Sequence, residues 1–208
     1  MKVLTEKEAE DFLEKNNFPV VRRITAKSLN EAAKAAVKIR YPIVLKVASK
    51  KILHKSDVGG VKLNIKNEEE LKKAYFELKK LKGFEGVMVQ EYLDGEYIIC
   101  GLKKDETFGH VLAFGLGGIF TEVIKDVSFR VCPASKKEVS EMIKEIKGYS
   151  ILKGIRGRKP ANINSILNVL MKLSTLSQKY KEIQELDINP LLVNEKFSKV
   201  IDARIVFN

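Results

Sequence analysis

The sequence predicts an α+β (mixed α/β) fold, a single domain made of two lobes. Two observations on the 208-residue chain lead to this prediction. Up to about residue 92, segments with helical periodicity alternate with runs rich in Val, Ile and Phe; beyond that point several such runs follow one another with short turns. Because consecutive strands pair antiparallel, we expect a smaller lobe near 20–92 and a larger lobe from 1–19 plus 93–208. A ligand is expected in the cleft between the lobes.

The helix starts are marked by a capping residue followed three positions later by Glu, the pattern of a capping box. The pairs are Thr5/Glu8, Ser28/Glu31, Asn67/Glu70 and Ser135/Glu138. They predict helices near 5–15, 28–40, 67–82 and 135–147, and the periodicity of NSILNVLMKLSTLSQKY predicts a fifth helix over about 163–180.

The strands are predicted from apolar runs enriched in β-branched and aromatic residues. In chain order the runs are FPVVR, YPIVLKVA, GGVKLNI, GVMVQEYL, GEYIICGLKK, HVLAFG, VSFRVC, IQELDINPLLV and KVIDARIVF. The second half of this series, in which strands follow one another directly, predicts antiparallel pairing.

The formal charge of +11, from 38 basic and 27 acidic residues, raises the alternative of a nucleic-acid-binding protein. The lysines are nevertheless spread among glutamates, as in NEEELKKAYFELKKLKG, where the i,i+4 spacing is typical of solvated helix faces. No basic motif interleaved with aromatic residues accompanies them. We therefore expect no nucleic-acid partner.

Cys100 and Cys132 are far apart in sequence and sit among apolar residues, which predicts buried free thiols in a reducing compartment. The chain has neither a basic leader followed by an apolar stretch nor an apolar run near the roughly 20 residues of a membrane span. We expect a cytoplasmic protein without a membrane partner.

Charged side chains stand at unusual places in the apolar runs. Lys46 lies inside YPIVLKVAS, where an ammonium is costly to bury without an anionic partner; alternatively, its stem lies along the sheet and its head group reaches solvent. Glu91 ends a second apolar strand and Glu96 follows an Asp-Gly turn, so that both face one pocket or both belong to an ordinary hairpin. The residues alone leave these alternatives open.

The last third of the chain contains ELDINPL followed by VIDARIV. If residues 194–198 form the turn between two antiparallel strands, Asp202 lies opposite the Asn189–Pro190 step. A carboxylate and an amide oxygen then converge, and Mg²⁺ takes hard oxygen ligands of this kind together with water and substrate phosphates. The alternative is a plain hairpin with an Asn-Pro turn end.

The stretch FGLGGIFTEVIKDVSFRVCP places Gly115, Gly117 and Gly118 ahead of Glu122 and Arg130. Glycines allow backbone N–H groups to approach phosphate closely, although a bulged turn explains the pattern equally well. In combination with the strand lysine, the two glutamates and the Asn/Asp pair, the stretch indicates one nucleotide–Mg²⁺ site between two lobes.

His54, in ILHKSDVGGVKLNI, is one of two histidines in the chain. The loop alone does not distinguish a solvated side chain from a metal ligand, a proton shuttle or a nucleophile. His110 lies in an apolar run and is expected to be structural.

Together these segments resemble an ATP-grasp domain, most closely that of the β subunits of the nucleoside-diphosphate-forming (ADP-forming) acyl-CoA synthetases. The resemblance runs nearly end to end and rests on YPIVLKV, HKSDVGGVKLNI, VQEYLDGEY, FGLGGIFTEVIKDVSFR, GIRGRKP and ELDINPL with VIDARI, in the family's order. Succinyl-CoA synthetase β subunits are similar in the lysine strand and the INPL motif, but the histidine loop points to the acetyl-CoA synthetase branch. The family pattern has an acidic residue near Asn162, where this chain departs from it.

The resemblance implies that ATP/ADP and Mg²⁺ are the cofactors. It implies nucleotide contacts by Lys46 to the phosphates, by Glu91, Tyr92 and Leu93 as the adenine-binding hinge, and by Glu96 to the ribose.

The same resemblance implies that Asn189 and Asp202 hold Mg²⁺ and that His54 is a phosphate-accepting histidine. Such a histidine passes a phosphoryl group between the partner subunit and the nucleotide site. A neutral imidazole, which predominates at pH 7 at an ordinary pKa of about 6.5, has a lone pair that attacks phosphorus. Gly59–Gly60 is expected to let the loop move.

The reaction implied by the resemblance is acyl-CoA + ADP + phosphate ⇌ carboxylic acid + ATP + CoA, with phosphoryl transfer between His54 and ADP as this chain's share. The sequence shows no CoA-binding Rossmann portion. A CoA-binding α subunit is therefore the expected partner, in an α2β2 assembly, and handles CoA and the acyl phosphate. A succinyl- or malate-CoA ligase β subunit is the alternative within the same class.

Overall fold

The computed structural model describes residues 1–49, 52, 55, 57–117, 125–155, 157 and 159–208. The chain divides into two compact units, a smaller unit of Val21–Leu93 and a larger unit of Met1–Val20 with Asp94–Asn208. Each unit has its own sheet and its own apolar core. In the part of the chain that is described, no helix is both long and apolar enough to cross a bilayer.

Eleven strands and six helices are formed by the described residues. In chain order they are β1 (Lys2–Val3), α1 (Glu6–Lys15), β2 (Arg23–Ala26), α2 (Leu29–Ile39), β3 (Ile43–Val47), β4 (Val61–Ile65), α3 (Glu68–Lys79), β5 (Val87–Glu91), β6 (Glu96–Asp105), β7 (Gly109–Leu116), β8 (Val127–Val131), α4 (Lys136–Glu145), α5 (Tyr149–Leu152), α6 (Ile163–Lys179), β9 (Ile183–Val193), β10 (Ser198–Val200) and β11 (Ala203–Phe207).

The smaller unit is a four-stranded antiparallel sheet in the order β2-β5-β3-β4. Its core lies between the sheet and the helices α2 and α3, which contribute Ala35, Ile39, Leu71 and Leu78 among others. Because side chains alternate along a strand, the residues between the core positions, such as Lys46, face the other side of the sheet.

The larger unit is a seven-stranded sheet in the order β1-β11-β9-β6-β7-β8, with β10 pairing β9. All of its strand pairs are antiparallel, as the run of consecutive strands predicted. Helices α1, α4 and α6 pack their apolar faces on one side of this sheet, against alternate strand residues such as Ile98, Leu102 and Ile188.

The helix starts follow the predicted capping residues. Thr5 and Ser135 form reciprocal capping boxes, in which the cap oxygen accepts from the N3 backbone N–H and the N3 Glu carboxylate accepts from the cap N–H. Ser28 and Asn67 also cap their helices. In these two helices the N3 Glu carboxylate accepts from the backbone N–H of the residue before the cap, not from that of the cap itself. Asn162 caps α6, so an amide serves where the family pattern has an acidic residue.

One predicted strand is wrong. FPVVR, residues 18–22, forms only a bridge from Val20 to Val200, and β2 begins after it at Arg23. Phe18 and Val21 are buried, so the apolar pattern signalled burial rather than ladder pairing. The last predicted run is divided into β10 and β11, with residues 201–202 between them.

Candidate functional site

Lys46 lies in β3, with Val61 of β4 and Met88 of β5 as its register partners. The residue is only 4% exposed. The alternative in which its head group reaches solvent therefore does not hold. A buried ammonium is costly without negative charge or several acceptors around it.

Glu91 ends β5, and its carboxylate is held by Arg22. Oε1 accepts from the Arg22 backbone N–H at 2.9 Å, and Oε2 accepts from Arg22 Nε at 3.0 Å. The backbone is fixed as well, since Glu91 N–H donates to the Arg22 carbonyl at 3.0 Å and Tyr92 N–H donates to the Pro42 carbonyl at 3.3 Å. The main chain entering Leu93 is thus held in place, and Glu91 itself is 7% exposed.

Arg22 was not identified from the sequence. It is 69 positions from Glu91, and no local pattern connects the two residues. A glutamate at the end of an apolar strand requires a donor when it is buried, and this is the signal in the sequence that could have indicated a nearby cation.

Glu96 begins β6 in the larger unit, half-buried and opposite Val193 of β9. Just before it, the carbonyl of Asp94 accepts from Nδ2 of Asn194 at 3.2 Å. Glu91, Tyr92 and Leu93 belong to the smaller unit and Glu96 to the larger one.

Asn189 and Asp202 lie opposite each other, as the predicted register requires. Ser198 pairs with Val193 at the start of β10, and Ala203 pairs with Ile188 in β11. At the level between them, Asn189 N–H donates to the Asp202 carbonyl at 3.1 Å. The turn therefore places Asn189 of β9 opposite Asp202, which lies between β10 and β11.

Asp187, to which the sequence assigned no role, joins this pair. Burial first, and then the charges of Glu185 and Asp202, raise the pKa of its carboxyl to about 6, although Arg204 and a hydrogen bond from Asn189 oppose this shift. A cation relieves such crowding of carboxylates.

The chemistry of this group fits Mg²⁺, which takes one or two protein carboxylates and completes its shell with water and phosphate oxygens. Among the described residues, no three or more His, Cys, Asp or Glu side chains are grouped so as to hold a metal. Mg²⁺ bound with a nucleotide does not require such a group.

His54, Gly118 and Glu122 lie outside the described residues. Of the glycine-rich stretch, Gly115 lies in β7 and Gly117 N–H donates to the Tyr97 carbonyl at 3.0 Å. The predicted roles of the histidine and of this stretch therefore stay predictions.

The expectation that Gly59 and Gly60 let the histidine loop move stays a prediction, but Gly60 also has a packing role. Its N–H donates to the Lys55 carbonyl at 2.7 Å and its carbonyl accepts from Val47 N–H at 2.8 Å. A Cβ at Gly60 would lie 2.7 Å from Val47 Cγ1, so glycine is needed here for close packing. Gly59, with φ at +67°, has the left-handed conformation that glycine adopts easily.

His110 and Arg130 have structural contacts. His110 is buried, as expected, and its Nε2 lies 2.7 Å from the Ile183 carbonyl. Arg130 pairs with Glu145 of α4, and its Nη1 donates to the Phe129 carbonyl at 2.8 Å.

Residues 1–207 match the family model of the ATP-grasp domain. The chain belongs to the ATP-grasp domain family, and the expected α+β ATP-grasp fold is confirmed.

Two of the similar proteins are acetate–CoA ligases. The chain is 42% identical over 211 residues to acetate–CoA ligase (ADP-forming) I subunit beta of Pyrococcus furiosus, a match covering 98% of this chain and 91% of that one. It is 47% identical over 189 residues to acetate–CoA ligase (ADP-forming) I of Archaeoglobus fulgidus, with 87% of this chain covered. That match covers 27% of the Archaeoglobus protein, so the chain spans about a quarter of that relative's length.

Solved structures of the dinucleotide-forming acetyl-coenzyme A synthetase 1 of Ca. Korarchaeum cryptofilum are similar over the whole chain. One, in complex with coenzyme A, Ca-AMPCP and HgCl⁺, has a TM-score of 0.95 at 42% identity and covers 100% of this chain and 94% of that one. Another, with coenzyme A and Mg-AMPPCP and its phosphohistidine segment pointing towards the nucleotide binding site, has a TM-score of 0.88 at 42% identity, covering 100% and 93%.

Proposed function

We propose that this chain is the nucleotide-binding β subunit of an ADP-forming acyl-CoA synthetase, which converts acyl-CoA, ADP and phosphate into a carboxylic acid, ATP and CoA. The observation that carries the proposal is the convergence of Asn189 and Asp202, with Asp187 beside them, at one level of the larger sheet. The 42% identity to the Pyrococcus β subunit, in a match that covers 98% of this chain, supports it.

The chain's residues act by binding and positioning the nucleotide. Lys46 binds its phosphates, the main chain of Glu91, Tyr92 and Leu93 holds the adenine, and Glu96 binds the ribose. Asn189 and Asp202 hold Mg²⁺, which neutralises phosphate charge when bound.

His54 carries the phosphoryl group in this proposal. An oxygen of the ADP β-phosphate attacks the phosphorus of phosphohistidine, the N–P bond breaks, its electron pair returns to the imidazole ring, and ATP forms; the reverse step phosphorylates the histidine. The protein supplies little covalent chemistry besides this histidine, so charge neutralisation and alignment determine the rate.

The partner in this proposal is a CoA-binding α subunit in an α2β2 assembly, which handles CoA and the acyl phosphate. The Archaeoglobus relative supports this partner, because that protein is several times longer than the segment that this chain matches. In this proposal, a separate subunit supplies the function of its remaining length. We place the assembly in the cytoplasm, which is consistent with the free thiols of Cys100 and Cys132.

The test is reconstitution with the CoA-binding subunit. We expect His54→Ala to lower overall turnover by at least about a thousandfold, as for other covalent-catalysis residues, while Mg-ADP affinity stays within about twofold of the wild type. Wild-type chain should incorporate label from γ-³²P-ATP in an acid-labile, base-stable form, and His54→Ala should not. Full turnover by the His54→Ala complex would contradict the proposed transfer.

A further inference from the structure

We propose that Arg22 is a positioning residue for the nucleotide base, acting through Glu91. The inference rests on the proposed function, in which the main chain of Glu91–Leu93 contacts the base. Its own basis is the set of contacts that Arg22 makes within the smaller unit.

Arg22 joins the end of a helix to the end of a strand. Its Nε donates to Glu91 Oε2 at 3.0 Å, and its Nη2 donates to the Ile39 carbonyl at 3.1 Å. Ile39 is the last residue of α2, where a cation is also favoured by the helix dipole. One guanidinium thus fixes the end of β5 against the C-terminus of α2.

The backbone at this point departs from the regular ladder. Arg23 pairs with Gln90, so Arg22 stands opposite Glu91. Opposite residues in a hydrogen-bonded antiparallel pair exchange two backbone bonds. Here Glu91 N–H donates to the Arg22 carbonyl at 3.0 Å, but Arg22 N–H donates to the Glu91 carboxylate at 2.9 Å. The Glu91 carboxylate therefore takes the place of the Glu91 carbonyl as acceptor of one ladder bond, at the point where the chain leaves the sheet towards Leu93.

The two partners of the ion pair differ in burial, and this difference indicates whether Arg22 acts on the position of Glu91 or on the stability of the whole unit. The Arg22 side chain is 59% exposed, whereas that of Glu91 is 8% exposed. The guanidinium is therefore largely hydrated, and the group that depends on the pair for its solvation is the Glu91 carboxylate. Removing the guanidinium leaves a buried carboxylate with fewer donors, and such a group lowers its free energy by moving towards water. The movement would displace Glu91–Leu93 while the rest of the unit stays folded.

The experiment compares two ligands that differ in the base. Calorimetric titration of the full chain with Mg-ADP and with Mg-tripolyphosphate, which has no base, separates base binding from phosphate binding. For Arg22→Gln we expect Mg-ADP affinity to fall about tenfold, or about 1.4 kcal/mol, and tripolyphosphate affinity to stay within about twofold. In the reconstituted enzyme, KM for ADP should rise and kcat should stay unchanged.

The matched control is Lys62→Gln. Lys62 forms an ion pair with Glu77 at 2.7 Å in the same unit, between β4 and α3. Its loss should leave both affinities unchanged. If Arg22→Gln does not fold, Arg22→Lys is used instead: an ammonium cannot reproduce the planar fork that bonds Glu91 and Ile39 together, so the same ligand-dependent loss is expected at smaller size.

Unchanged Mg-ADP affinity in both Arg22 variants would overturn the inference. Equal losses for Mg-ADP and tripolyphosphate would also overturn it, because Arg22 would then act on the unit as a whole. Equal affinity of the wild type for the two ligands would remove the base site itself, and the proposed function would fail together with the inference.

Discussion

Glu91 in the smaller unit and Asp187 in the larger unit are both acidic residues on a sheet, but their electrostatic surroundings are opposite. Both oxygens of Glu91 accept hydrogen bonds from Arg22. At Asp187, burial first and then the charges of Glu185 and Asp202 raise the pKa to about 6, and the opposing effects of Arg204 and of the Asn189 hydrogen bond are smaller.

The comparison shows how a carboxylate's environment indicates its role. Where the protein itself supplies the cation, as at Glu91, the carboxylate holds the main chain in place. Where carboxylates are crowded together, as at Asp187, their ionised forms gain from a cation that arrives with the ligand. The first arrangement suits positioning, and the second suits metal binding.

The substitution expected to change Mg-ADP affinity most is Asp202→Asn, at the crowded carboxylates of the larger unit. Loss of the Asp202 carboxylate should weaken Mg-ADP binding about a hundredfold, because Mg²⁺ loses a charged oxygen ligand. ADP without Mg²⁺ should bind the variant no worse than the wild type, since a negative charge has been removed. Calorimetric titration with and without Mg²⁺ measures both.

The control for this change is Asp105→Asn, at the end of β6, where the side chain accepts from the N–H groups of Thr107 and Phe108. The amide keeps an acceptor there, so Mg-ADP affinity should not change. Wild-type Mg-ADP affinity in Asp202→Asn would remove this residue from the ligand set.

A smaller effect is expected from Lys46→Met, which keeps much of the aliphatic stem and deletes the charge. Mg-ADP affinity should fall about tenfold, the size of a lost charged hydrogen bond, while adenosine affinity stays the same. Equilibrium binding of both ligands to Lys46→Met and to Lys62→Met, the same change on β4, tests this prediction. If wild type binds adenosine as tightly as ADP, Lys46 does not contact phosphate.

The smallest effect concerns stability of the metal-free chain. The native pKa of Asp187 is about 6 and its ordinary value is 3.8, so the native state holds this proton more tightly than the unfolded state. Its contribution therefore favours folding fully below about pH 4 and is lost as the pH rises through about 6, by at most about 3 kcal/mol.

Asp187→Asn should remove this dependence, so the variant gains stability relative to the wild type at pH 7 but not at pH 4. Urea unfolding at both pH values, without Mg²⁺, measures the difference. Mg²⁺ together with ADP should reduce the gain at pH 7, because the cation stabilises the ionised wild type. Parallel stability profiles of the two proteins would show that the crowding at Asp187 is unimportant.

The features that were predictable from the sequence depend on local rules. The caps Thr5 and Ser135 lie three residues from the Glu they bond, and the Asn189–Asp202 pairing follows from the position of one turn in a hairpin. Such relations are contained in short segments, and physical chemistry restricts them strongly.

The features that were missed depend on the tertiary fold. Arg22 reaches Glu91 across 69 positions, and burial of Asp187 results from packing that no spacing reveals. The strand prediction for FPVVR was wrong for a related reason, because its apolar residues Phe18 and Val21 are buried without pairing in a sheet. A single sequence indicates that a segment is buried more readily than it indicates what the segment packs against.

The turn between β9 and β10 has a consequence for natural variation among relatives. Asn194 closes it, since its Oδ1 accepts from the N–H groups of Lys196 at 2.9 Å and Phe197 at 3.0 Å. Surface turns generally tolerate insertions at small cost to folding. A change of one residue that propagates along β10 would instead turn Asp202 to the opposite face, away from Asn189. Functional members of the lineage should therefore conserve this turn's length even where its composition drifts, and a homologue with an altered length would be expected to have lost metal-dependent turnover while still folding.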